Sequence, residues 1–363
     1  MRKTLALFIL CLPASAEVRE RPGPAAGGVR AVWVTRFDYR TEEDIRGIMA
    51  NCASVGFNTV LFQVRGQADA YYLSRLEPRA ERLGGADAGF DPLEAACREA
   101  RRRGLGLHAW VNVMTAWKGR TPPADRDHLV HRHPEWIVAG PDGRRQRLND
   151  HYLCVNPCLP RVREHLEAVA RDIASRYDVD GLHLDYARFI EGDWSYDRET
   201  LRLFGGAPAR RPEAWDEFRR GAVTEVVRLI RRAVREARPR AVLSAAVFPT
   251  GKGRRERFQD AEGWAREGLV DWVFPMTYEE GAAEFEERVE AAGRDFRGVE
   301  CLPGVGVYRH GTAEQTVSQV RRCRGGFAVF AYSSFFGTAD DTQGDPDRLR
   351  RARREALRKA LGV

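Results

Sequence analysis

Two apolar rhythms alternate along the chain of 363 residues. One is a short run that is apolar at every second position or throughout, as in NTVLFQVRG at 58–66 and GLHAWVNVM at 106–114. Both are rich in β-branched and aromatic residues and predict strands. The other rhythm repeats every three or four residues, as in EEDIRGIMANCASV at 42–55, where Ile45, Ile48, Met49, Cys52 and Val55 fall on one helical face. Strands are predicted at 30–37, 58–66, 106–114, 181–189, 242–249, 271–278, 299–308 and 326–335. Helices are predicted at 42–55, 92–103, 161–176, 213–238, 258–267, 282–296, 314–324 and 346–361. Eight strands, each followed by a helix, are the count of a single α/β domain of (β/α)8 TIM-barrel type, here spanning 30–363. Two connections are long, 115–160 after the third strand and 190–212 after the fourth. Both leave the C-terminal ends of strands, the face on which barrel enzymes build their sites.

Within each strand, alternate residues face the helices and the barrel interior. On the second strand Val60, Phe62 and Val64 face outward, which turns Gln63 and Arg65 inward. On the third, Leu107, Ala109 and Val111 leave His108, Trp110 and Asn112 for the interior. On the fourth, in YDVDGLHLDYARF, Leu182 and Leu184 leave His183 and Asp185. The first, sixth and eighth strands contribute Trp33, Tyr278 and Tyr332. Barrels of this type normally fill their centre with branched apolar side chains, and burying ionisable groups is costly. A polar interior concentrated on three adjacent strands therefore predicts a site.

Composition changes this picture little. The formal charge is +7, but only four of the 59 basic residues are lysine, and the arginines stand among acidic neighbours, as in RRPEAWDEFRR. That reads as a solvated face rather than a nucleic-acid footprint, while leaving an anionic polymer as a partner. Residues 1–16, MRKTLALFILCLPASA, have the basic start, short apolar run and A-x-A end of a secretory leader, far too short for a membrane span. Residues 17–29 read as a Pro/Gly-rich linker. A leader predicts export, to the periplasm or the medium. Of the seven cysteines, Cys52 and Cys97 fall on apolar helix faces. Cys154 and Cys158 predict a local disulfide or two free thiols rather than a zinc site, for which too few further ligands stand nearby.

The chain holds no G-x-S-x-G, H-E-x-x-H or P-loop pattern, and nothing calls for a cofactor. His131 and His133 form an H-x-H pair that can bind metal, but in HRHPEW Pro134 and Trp136 read as a structured turn, and no metal is predicted. What remains are carboxylates at strand ends among aromatic side chains: Asp185 after the fourth strand, Glu279 and Glu280 after the sixth, and Trp110, Trp117, Trp136, Trp194, Tyr278 and Tyr332 around them. Two carboxyl groups flanking a bond, with flat rings to stack on sugars, are what glycoside hydrolysis requires.

Several segments in order along the chain resemble the glycosyl-hydrolase-like family 10 barrels: RAVWVTRFDYRTEEDI, GFNTVLFQVRGQADAYYLS, LGLHAWVNV, HPEWIV, DVDGLHLDYARF and WVFPMTYE. The resemblance implies an exported TIM-barrel glycosidase, with cell-wall glycan strands, including peptidoglycan stripped of its peptides, among the family's substrates. It places functional residues at Gln63, Arg65, His108, Trp110, Asn112, Asp185, Tyr186 and Arg188. A more distant similarity to family-18 chitinases fails at the decisive position, because the chitinase glutamate falls on Ala187. The expected catalytic pair is Asp185 with Glu279, and Glu280, Glu191 and Asp38 stand in reserve. Substrate contacts are expected from Trp33, Gln63, Arg65, His108, Trp110, Asn112, His183, Tyr186, Arg188, Tyr278, Glu280 and Tyr332. Arg188 and Arg65 would hold a carboxylate ionised by proximity or bind an anionic sugar such as muramic acid, and His183 would orient Asp185. The leading alternative is a glycan-binding barrel without activity. An arginine-driven binder of nucleic acid or lipopolysaccharide ranks third.

Overall fold

The computed structural model describes residues 28–84, 89–338, 340 and 344–363. The leader and nearly all of the linker lie outside the described residues. The strands are β1 (Val29–Val34), β2 (Thr59–Arg65), β3 (Gly106–Asn112), β4 (Thr115–Gly119), β5 (Asn149–Cys154), β6 (Gly181–Asp185), β7 (Val242–Val247), β8 (Trp272–Pro275), β9 (Glu300–Cys301), β10 (Gly304–Gly306) and β11 (Gly326–Phe330). The principal helices are α1 (Glu42–Val55), α2 (Pro92–Arg102), α3 (Leu129–Arg132), α4 (Pro160–Arg176), α5 (Arg198–Phe204), α6 (Pro212–Ala237), α7 (Gly251–Glu256), α8 (Ala261–Arg266), α9 (Ala282–Asp295), α10 (Ala313–Val320) and α11 (Asp347–Leu361).

Nine strands form one sheet in the order β10-β11-β1-β2-β3-β6-β7-β8-β9, and every pairing in it is parallel. The two ends of this order are consecutive in the chain. β9 pairs with β8, and β10 pairs with β11, with only Leu302 and Pro303 between them. Leu302 donates its N–H to Val273 (2.9 Å), and Pro303 accepts from Ala328 (3.0 Å). The seventh predicted strand is thus one extended segment interrupted at a proline, which has no N–H to give, and it joins the sheet's two edges. All eight predicted strands are present at their places in a TIM-barrel-like fold. They are shorter at their C-terminal ends than the apolar pattern implies.

Two apolar clusters hold the fold. The larger fills the annulus between sheet and helices and includes the buried stripe of α1. That helix begins at a capping box in which Thr41 and Asp44 exchange bonds, and it ends at Gly56 with φ 97°, a left-handed stop that favours glycine. Burying Ile45 or Ile48 contributes about 1.5–3 kcal/mol each, and Ile48→Ala would cost about 2–5 kcal/mol. The smaller cluster lies inside the barrel and is aromatic: Trp33, Trp110 and Phe274 with Leu61, Leu302 and Ala328. The loop after β3 folds into the β4–β5 hairpin and α3, and the loop after β6 carries α5. Both stand beside the C-terminal ends of the strands.

Candidate active site

The barrel interior is layered, and the layers differ in what their polar groups do. In the lowest, His108 stacks on Trp272 with ring centroids 4.9 Å apart. A Cβ at Gly181 would come within 2.7 Å of that imidazole, so glycine makes its room. In the middle layer His183 is fully buried and held from both sides. Its Nε2 accepts from the Trp33 indole N–H (3.0 Å), and its Nδ1 lies 3.0 Å from the Ser244 hydroxyl. An indole N–H can only donate, so Nε2 carries no proton and Nδ1–H donates to Ser244. Burial pulls both histidines down to about 3, with His183 adding to the effect on His108. Both are neutral plugs below the site. His183 therefore does not orient Asp185, because both its ring nitrogens are engaged within the barrel.

Asp185 ends β6 in the top layer, opposite Asn112. The chain turns immediately after it: Tyr186 takes φ 51°, and its N–H donates to Asp185 Oδ1 (2.7 Å). Arg188 donates to the same oxygen (2.8 Å) while packing 4.4 Å over the Tyr186 ring. Among the described residues Oδ2 has no hydrogen-bond partner, and the side chain keeps 12% exposure. Burial, and after it the Asp185 charge, raises the Tyr278 hydroxyl well above its ordinary value. Tyr278 also meets Trp33 (6.4 Å), Phe330 (5.6 Å) and Tyr308 (6.0 Å) edge-on or tilted, and Tyr308 is 41% exposed. On the other side Tyr152 of β5 packs against Tyr186 at 5.2 Å. A carboxylate with one free oxygen thus sits between two tyrosine-rich walls at the C-terminal end of a barrel strand.

Other expected site residues stand elsewhere, for identifiable reasons. A β-bulge between Gln63 and Arg65 aligns Arg65 with Val111, an outward position. Arg65 is therefore turned out of the barrel and fully buried against Glu77 with two bonds of 2.7 Å. Burial alone would raise the Glu77 carboxyl, but Arg65 and a 3.0 Å bond to His165 on α4 hold it well below the usual range. Arg65 is a structural cation and cannot meet a sugar. Glu279 follows the end of β8, which stops at Pro275, and its side chain bonds Arg288 of α9 (3.3 Å) on the helix side. Glu280 is exposed beside it. Tyr332 lies beyond the end of β11 in a short 3₁₀ turn, where its hydroxyl accepts from Asn51 of α1 (2.8 Å), so it belongs to the annulus. Trp110 is buried against His183, and Trp117 and Trp136 are buried under the long loop, Trp136 stacked on His133 at 4.0 Å. Cys154 and Cys158 are buried, unlinked thiols, pushed by burial up to about 12.

Three residues of this face escaped the sequence patterns. Tyr152 sits in a hairpin with no barrel periodicity, and Tyr308 follows the split strand. Asp69, in GQADAYY, follows Ala68 at φ 59° and accepts from the Gln67 N–H (2.9 Å). Burial raises its carboxyl and Arg36 offsets this only in part. Gln63, buried, fixes the loop after β1 by accepting the Arg36 N–H (3.0 Å). Asn112 donates to the Gly66 carbonyl (3.1 Å).

A parallel barrel with an acid and tyrosines at the C-terminal mouth is an arrangement that glycoside hydrolases share with other barrel enzymes. Solved structures agree on the fold: the PgaB (BpsB) glycoside hydrolase domain from Bordetella bronchiseptica matches with TM-score 0.65 at 15% identity, covering 92% of this chain and 98% of that one. Alpha-L-fucosidase isoenzyme 2 from Paenibacillus thiaminolyticus gives TM-score 0.65 at 15% identity over 92% of this chain and 49% of its own. The chain belongs to the glycosyl hydrolase-like 10 family, whose model matches residues 28–322. Among curated relatives, glycosyl hydrolase YngK of Bacillus subtilis (strain 168) is 24% identical over 69% of this chain and 54% of its own length. Glycosyl hydrolase DigH of Escherichia coli (strain K12) is 26% identical over 62% and 55%. The chain thus spans about half the length of the curated relatives it matches. Among the described residues no helix is long and apolar enough to cross a membrane.

Proposed function

We propose that this protein is an exported glycoside hydrolase that cleaves glycosidic bonds in a bacterial cell-wall glycan, with Asp185 as a catalytic carboxylate. The observation that carries the reading is the asymmetry of Asp185: Oδ1 is fixed by Arg188 and the Tyr186 amide, and among the described residues Oδ2 has no hydrogen-bond partner. Fixing one oxygen orients the other, so it can attack an anomeric carbon, steady its developing positive charge or activate water. Tyr278 and Tyr308 offer rings of the kind that pack on sugars.

Hydrolysis needs a second carboxyl to protonate the leaving oxygen. Glu279 would have to leave Arg288 to reach the mouth. Asp69 is the stronger candidate for the acid, because its burial favours the protonated form that a general acid requires. The chain's family and the names of its relatives support a glycan as substrate, and the predicted leader supports export. The test is incubation with purified glycan strands of peptidoglycan freed of peptides, and with neutral polysaccharides, followed by mass analysis of released fragments. The reading predicts new reducing ends from the cell-wall strands. Intact strands after prolonged incubation would favour a binding barrel instead.

A further inference from the structure

Seven arginines are buried among the described residues, and six of them are ion-paired. Arg65 pairs with Glu77, Arg188 with Asp185, Arg219 with Asp216, Arg254 with Glu262, Arg350 with Asp347 and Arg353 with Asp345. Arg36, 4% exposed, is the exception. Its guanidinium makes one hydrogen bond, to the Tyr152 hydroxyl (3.0 Å), and lies 4.5 Å over the Phe37 ring. Asp69 acts on it through space without forming an ion pair, and burial keeps that carboxyl raised. Burial acts against the cation, but the Tyr152, Asp69 and Tyr71 groups around it raise it on balance above its ordinary value, so the charge is held while its fork keeps donors that no protein acceptor takes among the described residues.

Yet Arg36 is positioned with care. Its N–H donates to Gln63, its carbonyl accepts from Arg82 Nε (3.1 Å), and its side chain lies in a slot that exists because residue 66 is glycine. A Cβ at Gly66 would stand 2.6 Å from Cδ, Nε and Nη1 of Arg36. A second cation, exposed Lys118 on β4, has no ion-pair partner among the described residues and lies 5.7 Å from the Tyr152 ring centroid. Tyr152 in turn packs on Tyr186, whose amide holds Asp185.

We propose that Arg36, with Lys118, is an anion subsite one aromatic step from Asp185, which takes a carboxylate carried on a sugar ring lying along Tyr152 and Phe37. The assignment of that ring to a substrate rests on the hydrolase reading, whereas the subsite itself does not. Arg36 supplies the desolvated, directional contact, since its planar fork matches a carboxylate. Lys118 adds a screened, solvent-exposed attraction.

The experiment is titration calorimetry on the full chain carrying Asp185→Asn, so that ligand is not consumed. The probes are peptide-free peptidoglycan oligosaccharides, a glucuronate-containing oligosaccharide, and the carboxyl-reduced form of each. The subsite predicts that reduction weakens binding at least tenfold. It further predicts that Arg36→Gln weakens the acid form by a similar factor and leaves the reduced form unchanged, and that Lys118→Met produces a smaller loss that disappears at high salt. The two acid probes tell whether the carboxylate sits on an ether substituent or on the ring. Equal binding of acid and reduced forms overturns the proposal without any mutation at Arg36, as does an Arg36→Gln loss that ignores the carboxyl. Arg36→Gln should melt close to the parent temperature, because it removes one hydrogen bond to a neutral hydroxyl and no ion pair, and a clear fall would mark Arg36 as structural and overturn the assignment. If acid oligosaccharides bind selectively while the unmutated protein cleaves none of them, the hydrolase reading fails and the subsite stands.

Discussion

His183 and Asp185 stand two residues apart on the same face of β6, and their surroundings are opposite. The histidine has both ring nitrogens bonded inside the barrel, to Trp33 and Ser244, and no exposure. The aspartate has one oxygen bonded, one without a partner among the described residues, and an opening to solvent. A polar group in a barrel interior is thus two different things according to depth. Below the mouth His183 is a satisfied plug that ties strands together, while His108 and Trp110 beside it each keep one buried ring nitrogen without a hydrogen-bond partner among the described residues. At the mouth Asp185 is left incomplete, and in the function proposed above the substrate supplies the missing partner. Arg65 and Arg36 repeat the contrast: the first is buried and doubly bonded to Glu77, the second is buried without an ion pair.

This contrast can be sharpened through pH. Folded His183 and His108 stay neutral down to about 3, whereas the unfolded chain protonates them near 6.5. Between those values the unfolded state binds more protons, so stability must fall as pH drops from about 6.5 toward 3. The slope is roughly 1.4 kcal/mol per pH unit for each histidine. Urea midpoints measured at half-unit steps will show it, and a flat profile from pH 6.5 to 4.5 would mean the plugs are not sealed. A smaller effect is expected from Arg65→Met, which strands the Glu77 charge: about 3–5 kcal/mol of stability lost in chemical denaturation, with glycan affinity of the remaining folded protein unchanged. The smallest belongs to Glu279→Gln. Its pair with Arg288 is partly exposed, so stability should move by about 0–1 kcal/mol and the cleavage rate should hardly change. A loss of several orders of magnitude in rate would return Glu279 to the role of second carboxyl.

The fold was legible because β-strands and helices here keep their own apolar periods, and all eight strand–helix units follow the pattern. The apolar pattern overruns the strand ends. The apolar run continues through Tyr332 and Tyr278, but pairing stops at Phe330 and Pro275, since a sequence carries hydrophobicity past the last ladder bond. The site was half legible. Alternation placed Asp185 correctly on the inner face, and it failed at Arg65 because a single bulge residue inverts the phase of everything after it. Nothing in the alternation distinguishes His183 from Asp185, because depth in the barrel depends on register with the neighbouring strands. Tyr152 and Arg36 come together only through the hairpin in the long loop, a contact 116 residues apart in sequence.

The most direct measurement is the cleavage rate of Asp185→Asn on peptide-free glycan strands, taken together with its melting temperature. An acid that acts at the mouth predicts a rate reduced by on the order of 10²–10⁴ or more, with melting unchanged. Wild-type turnover in that variant would contradict it.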